Sequence, residues 1–366
     1  MDKTYADTVR LLLAVAPDVF ANDIFAMKGG TAINLFVRDM PRLSVDIDVV
    51  YLPWQTPRDE ALQAINQELA AIATRVAPLG VQTRLVRAKD LGDTKLIVEN
   101  DASQVKIEVN VVFRGSVLPV ERRPLSAKTS DLFGVEFELP VLAPDELYAS
   151  KLVAALDRQH PRDLFDVWQL YESGDISDGM VECFVIYLAG HNRPPHEVLF
   201  GNDKDIAGEY ERAFVGMAEV DCPLDTLLDA RAQLRRELQQ RLTKAHRRFL
   251  SGLVRAEPDW SLVQCQHAAQ LPALRWKLNN LETFRKKRPK DFAAQAAALD
   301  AGLGQICSGG RSIPGLPGLP HAALIAARDT RCPYTQRLPK RPQGLGRGKG
   351  TEPRGKALPE KAKRHP

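Results

Sequence analysis

The sequence predicts an α+β fold. A mixed sheet with flanking helices is expected over residues 1–143, a helical segment over 144–307 and a disordered tail over 308–366. Three observations predict it. Strand-like alternation is confined to the first part of the chain, where it is interleaved with helical spacing. After Pro144 helical patterns dominate. From Gly309 onward Gly and Pro accumulate and the periodicity fades.

Residues 4–20 have helical spacing. A short apolar run at 24–27 ends in Lys28-Gly29-Gly30-Thr31, and helical spacing resumes at 32–38. Residues 44–51 alternate as a strand, which Pro53 ends. The stretch 60–76, rich in Ala, Leu, Ile and Gln, is helical. Strands follow at 81–86 and 94–98, and 104–113 alternates most cleanly of all. Helices at 145–156 and 162–171 are separated by Pro161, a residue suited to the first turn of the second. Further helices are expected near 179–189, 204–218, 224–250 and 282–303. No internal repeat is present.

Hydrophobic residues make up 44% of the 366 and charged residues 26%. That balance excludes a wholly disordered chain, a collagen and a coiled-coil rod. No run of eighteen apolar residues occurs, so no membrane span is expected. The N-terminal stretch carries Asp2 and Asp7 and lacks a basic region leading into a long apolar core. No secretory signal is therefore expected, and the location expected is cytoplasmic. The five cysteines (183, 222, 265, 307 and 332) are odd in number and form no Cys-x-x-Cys clip. A reducing compartment, with neither a disulfide frame nor a zinc site, fits that pattern.

The net charge of +4 is unevenly spread. Residues 338–366 hold nine Lys/Arg and two Asp/Glu, a balance of +7, which leaves the rest of the chain at −3. This tail has little to bury and is expected to be disordered. It is either a solubilising extension or a non-specific contact for a polyanion such as RNA.

The informative stretch is Lys28-Gly29-Gly30-Thr31 followed by Arg42-Leu43-Ser44-Val45-Asp46-Ile47-Asp48-Val49-Val50. Side chains alternate along a strand, so Val45, Ile47 and Val49 suit a core while Ser44, Asp46 and Asp48 share the other face. Two adjacent carboxylates repel. Salt bridges or solvent relieve that, and a divalent cation relieves it directly. In the strand at 104–113, Lys106, Glu108 and Asn110 face away from the apolar positions. If that strand neighbours Asp46 and Asp48, Glu108 joins them. Three carboxylates would then hold Mg²⁺ or Mn²⁺ for phosphate chemistry. Glycines in the preceding turn admit the backbone close to a phosphate, a helix start offers free N–H groups, and Thr31 adds a hydroxyl. No Walker A loop occurs.

Singly, each piece is ordinary: an Asp-x-Asp strand is usually an exposed face, and Gly-Gly usually a turn. The ordered set is more specific. An apolar strand, Gly-Gly-Thr, a helix, an Asp-x-Asp strand and a later strand bearing Glu, in that order, resemble the signature of the polymerase-β-like nucleotidyltransferase fold. Downstream, Lys151 sits among apolar helical residues, and Arg158, Arg162, Asp163 and Asp166 follow it. Asp163 and Asp166 share one helix face. Spacing alone leaves two readings for this group: a cation for a triphosphate, or a capping and ion-pair network around Pro161.

The segments KGGTAINLF, RLSVDIDVVY and KLVAALDRQHPRDLFDVW together resemble the AbiEii/AbiGii nucleotidyltransferase toxin family of type IV toxin–antitoxin and abortive-infection systems. The resemblance spans roughly residues 5–305. It implies that Gly30-Thr31 and Asp46/Asp48 match the family's Gly-Ser and Asp-x-Asp motif, with Thr31 in place of the commoner Ser. It also implies that Lys151 is the nucleotide-contacting lysine, and that Asp166, or else Asp163, is the downstream essential acid. The site expected from residues and resemblance together has catalytic Asp46, Asp48, Glu108, Lys151 and Asp166. Lys28, Gly29, Gly30, Thr31, Ser44, Lys151 and Asp163 would hold the nucleotide, and Asp46, Asp48 and Glu108 the metal.

The family implies a nucleoside triphosphate as substrate with Mg²⁺, an acceptor such as tRNA, and an AbiEi-like antitoxin encoded nearby. Phosphoryl transfer at the same site, or binding of nucleotide, RNA or antitoxin without chemistry, are the rival readings. Two other groups stay open between RNA contact and helix packing. One is the basic stretch around Arg241, Lys244, His246, Arg247 and Arg248. The other comprises Trp260, Arg275, Trp276 and Lys277, while the basic run at 285–290 is read as a solvated helix end, with RNA docking as the alternative.

Overall fold

A computed structural model describes residues 3–88 and 92–307, with no side-chain description at 87–88, 92–93 and 305–307. The chain begins with α1 (Lys3–Val19), β1 (Phe25–Lys28), α2 (Gly29–Ala32) and a π-helical turn (Ile33–Val37). Next come β2 (Asp46–Tyr51), α3 (Arg58–Val76), β3 (Gln82–Ala88), β4 (Gly92–Glu99) and β5 (Gln104–Asn110). β6 (Glu121–Pro124), α4 (Ala127–Phe133) and β7 (Glu138–Val141) complete the sheet region.

The helical part comprises α5 (Pro144–Asp157), α6 (Pro161–Ser173), α7 (Asp178–Ala189), α8 (Pro195–Leu199) and α9 (Ala207–Ala213). It ends with α10 (Leu224–Arg241), α11 (Lys244–Val254), α12 (Pro272–Lys287) and α13 (Pro289–Cys307). The tail at 308–366, for which disorder is expected, lies outside the described residues.

The seven strands form one mixed sheet in the order β3-β4-β5-β2-β1-β7-β6. β2 pairs parallel to β5 and β1 parallel to β7, and the other neighbours are antiparallel. The alternation predicted for β2 and β5 is realised: Ile47, Val49, Val105, Ile107 and Val109 are fully buried. α1 and α3 pack on the sheet. The buried stripe of α3 (Ala61, Ile65, Leu69, Ile72, Val76) has the three-to-four-residue spacing of an amphipathic helix. α7 is buried from Met180 through Ala189, so it is enclosed by other helices. The apolar core runs unbroken from Tyr5 to Leu303, and sheet and helices share it.

Several elements differ from their sequence-based outlines for local reasons. The strand expected to reach residue 113 stops at Asn110, whose side-chain oxygen accepts from the N–H groups of Val112 and Phe113 at 3.1 and 3.0 Å and turns the chain. The helix expected over 224–250 is two helices. Thr243 caps α11 by accepting from His246 N–H at 3.1 Å, in a reciprocal capping box. The helix near 204–218 is only α9. The one at 282–303 is preceded by most of α12 and restarts at Pro289, a residue that ends one helix and opens the next. The sheet edge β6–β7 and the helix α4 between them carry no clear periodicity in the sequence. Two members of the basic and aromatic groups are turned inward. His246 meets Glu182 at 2.9 Å, and Lys277 donates to the carbonyls of His191 and Arg193 at 2.7 and 3.0 Å. Trp276 is exposed.

Candidate active site

The register of the central strands places four charged residues in one row. Lys28 on β1 lies opposite Asp48 on β2, Asp48 opposite Glu108 on β5, and Glu108 opposite Lys95 on β4. Opposed residues project from the same face, so the row reads cation, anion, anion, cation across the sheet. One pleat away, Asp46 lies opposite Lys106. The adjacency of the two strands on which the grouping of Glu108 with the aspartates depends is therefore present.

Lysines already neutralise part of it. Glu108 Oε2 meets Lys95 Nζ at 3.1 Å and Lys106 Nζ at 3.2 Å, and Lys106 lies 3.6 Å from Asp46. Glu108 is buried, while Asp46 exposes half of its side chain (50%). Burial pushes the Asp48 carboxyl above the usual carboxylate range. Lys28 pulls it back, and the negative charges of Asp46 and Glu108 push it further up. Burial lowers the Lys28 amine, against the attraction of Asp48 and Glu146.

The glycine turn closes on this row. Gly29 has φ +80°, the left-handed region that side chains disfavour. A Cβ there would sit 2.5 Å from the Oδ2 of Asp48. Gly30 is equally confined, because its Cβ would stand 2.6 Å from Arg42 Nη2 and 3.1 Å from Ser44 Oγ. Thr31 and Ser44 share a hydroxyl–hydroxyl bond of 3.0 Å, and the Ser44 N–H donates to the Tyr5 hydroxyl at 3.3 Å. Gly29→Ala is expected to displace Asp48 and to cost about 1–2 kcal/mol of stability, strain and clash together. Urea unfolding beside a nucleotide-transfer assay measures both effects, and wild-type values in both would refute the close fit.

Behind the turn lies a chain of buried ion pairs. Arg42 donates through Nε to Asp166 Oδ1 at 2.6 Å and through Nη2 to Asp166 Oδ2 at 2.7 Å. Lys151 Nζ lies 3.0 Å from Asp166 Oδ2 and donates to Asp163 Oδ1 at 2.9 Å. Arg158, with 62% of its side chain exposed, holds Asp163 at 2.8 Å. Burial alone would raise both aspartates. Lys151 and Arg158 outweigh it at Asp163, and Arg42 and Lys151 outweigh it at Asp166, so both carboxyls lie below their ordinary range.

The sequence reading singled out Lys151, Asp163 and Asp166 and missed Arg42, Asn34, Tyr5 and Lys95. Arg42 carried one signal, a cation just ahead of an acidic strand. Its partner 124 residues away carried none.

Among the described residues, no group of three or more His, Cys, Asp and Glu side chains is gathered as a metal cluster. The donors at Asp46 and Asp48 nevertheless suit a hard divalent ion. They are carboxylate oxygens on adjacent outward positions, and their mutual repulsion together with that of Glu108 leaves negative charge to be offset. Glu108 would have to exchange its lysine partners to become a third ligand.

The comparisons with known proteins give the class as nucleotidyltransferase. The family model described as "Nucleotidyl transferase AbiEii toxin, Type IV TA system" matches residues 10–280. The chain therefore belongs to the AbiEii family of nucleotidyltransferase toxins of type IV toxin–antitoxin systems. Among solved structures, the nucleotidyltransferase toxin MenT4 of Mycobacterium tuberculosis H37Rv is similar at 17% identity and a TM-score of 0.39, over 83% of this chain and 95% of that one. No curated protein matches the chain. No described helix is long and apolar enough to cross a membrane.

Proposed function

We propose that this protein transfers a nucleotide from a nucleoside triphosphate to an acceptor hydroxyl, with tRNA as the acceptor, in the bacterial cytoplasm, and that an AbiEi-like antitoxin restrains it. The observation that carries this reading is the Lys28–Asp48–Glu108 row lying against the Gly29-Gly30-Thr31 turn. Carboxylates and a cation meet there beside two glycines whose missing side chains admit Asp48 and Arg42, at a turn that opens a helix.

Asp46 and Asp48 would hold Mg²⁺ or Mn²⁺, with Glu108 assisting. When bound, the ion supplies charge neutralisation for the phosphates and the departing pyrophosphate. The residues do the rest. Gly29, Gly30 and Ser44 grip the phosphates through N–H and hydroxyl donors, Thr31, itself buried, orients the Ser44 hydroxyl, and Lys28 opposes their charge. Lys151 adds positive potential from behind, its ammonium held between Asp163 and Asp166. The acceptor oxygen bonds to the α-phosphorus and the α–β bridging P–O bond breaks, releasing pyrophosphate. The acceptor proton passes to Glu108 or Asp46. Binding geometry and electrostatics carry most of such a transfer.

The test incubates the full-length protein with each α-labelled triphosphate and total tRNA, with and without EDTA. Label is expected in tRNA from one or a few of the nucleotides, it should vanish with chelator, and the RNA should gain the mass of a nucleotide. A gain of a single phosphate would mean γ-phosphoryl transfer instead. Label transfer indifferent to EDTA would exclude the metal, and none from any triphosphate would exclude the reaction on tRNA.

A further inference from the structure

We propose that Arg42 and Asp166 form one strut that sets the Gly29-Gly30-Thr31 turn. Asp166 then serves the site through Arg42 and Lys151, without touching nucleotide. The proposal makes Asp166 a positioning residue, and it rests on the site assignment made under Proposed function.

The argument begins with how fully Asp166 is used. One oxygen takes the Arg42 Nε–H, and the other takes Nη2–H and the Lys151 ammonium. Asp166 is 2% exposed and Arg42 4%. An acid so enclosed, with cations on both oxygens, has no face left for a phosphate or an acceptor hydroxyl. Arg42, in contrast, reaches the turn in two ways. Its Nη2 occupies the space next to Gly30 where a Cβ would otherwise project. Its backbone N–H donates to Asn34 Oδ1 at 3.2 Å, and Asn34 Nδ2 donates to the carbonyl of Gly30 at 2.7 Å. Nη1 donates to the carbonyl of Leu43 at 2.8 Å, fixing the segment that leads into Ser44 and β2.

Arg42 therefore joins α6 to the entry of the acidic strand through its guanidinium, which also packs beside Gly30, and to the glycine turn through its backbone N–H and Asn34. Its planar fork can do this because it donates along several fixed directions at once. A lysine at position 42 would keep the charge and lose the geometry.

The experiment uses full-length protein carrying Arg42→Lys, Asp166→Asn or both. Amide hydrogen exchange of residues 28–36 reports on the turn, and steady-state kinetics separate KM for the triphosphate from kcat. Each single variant is expected to speed exchange in 28–36 by about tenfold and to raise KM by about tenfold, while exchange in α10 and α11 stays unchanged. The double variant is expected to match the worse single one, as residues acting as a unit do. If Asp166→Asn fails to fold, Asp166→Glu, which keeps the charge and shifts the carboxylate, carries the same expectation.

Exchange in 28–36 at the wild-type rate overturns the strut. So does a fall in kcat alone with Asp166→Asn, or a double variant whose losses multiply. A wild-type protein that transfers no nucleotide would refute the proposed function instead, and the exchange data would still decide the strut.

Discussion

Asp48→Asn is expected to cut nucleotide transfer by about a thousandfold and to leave the protein as stable as before, or more so. The second half of that expectation comes from the electrostatics. The Asp48 carboxyl is held above its ordinary range, first by burial and then by Asp46 and Glu108, with Lys28 offsetting only part. For a group raised in this way, the stabilisation it gives is present below the unfolded carboxylate pKa, about 3.9. It is lost as pH rises through the folded value. At neutral pH the ionised side chain thus works against folding, and the amide removes that charge while keeping the shape. Label transfer and a calorimetric melt on the same samples separate the two effects. An inactive variant that also melts well below wild type would mean that Asp48 is a structural residue.

The largest stability effect is expected at Asp166. Asp166→Ala leaves Arg42 and Lys151 facing each other, both of them buried. Stranding charge in this way costs about 3–5 kcal/mol. Asp163→Ala is expected to cost less: Lys151 keeps Asp166, and Arg158 is exposed enough to turn to water. Urea midpoints of the two variants check the order, and an equal or reversed order would show that the network is not centred on Asp166. Acid probes the same pairs. Both aspartates are held below their unfolded range, so their stabilisation is complete above a pH of about 4 and declines as pH falls beneath it. The urea midpoint of Asp166→Ala is expected to fall less steeply as pH drops than that of the wild type.

Most of the site could be read from the chain because its carboxylates sit on strands. A period of two puts Asp46, Asp48 and Glu108 on one face of the sheet while Ile47, Val49 and Ile107 enter the core on the other. Once β2 and β5 pair side by side, register does the rest. The glycines were legible as a turn, but not their tight fit against Asp48 and Arg42, which depends on atoms from other segments. The role of Arg42 was not legible, because an ion pair between residues 124 apart leaves no local pattern. Lys95 was invisible for a related reason, since its strand had to be placed beside β5 before the lysine could meet Glu108. The break between α10 and α11 was legible in principle through Thr243, yet the helical spacing on both sides hid it. Short strands such as β6 and β7 give too few residues for alternation to register.

The distance along the chain between Arg42 and Asp166 has a consequence for biosynthesis. A ribosome adding about 5–20 residues per second needs roughly 6–25 s to pass from one to the other. Through that interval the nascent polypeptide already carries its glycines and the aspartates of β2, but the Arg42 guanidinium lacks the Asp166 carboxylate that seats it. A protein built in this order gains the Arg42–Asp166 pair only after α6 has been made, and chains released before α6 are expected to be inactive.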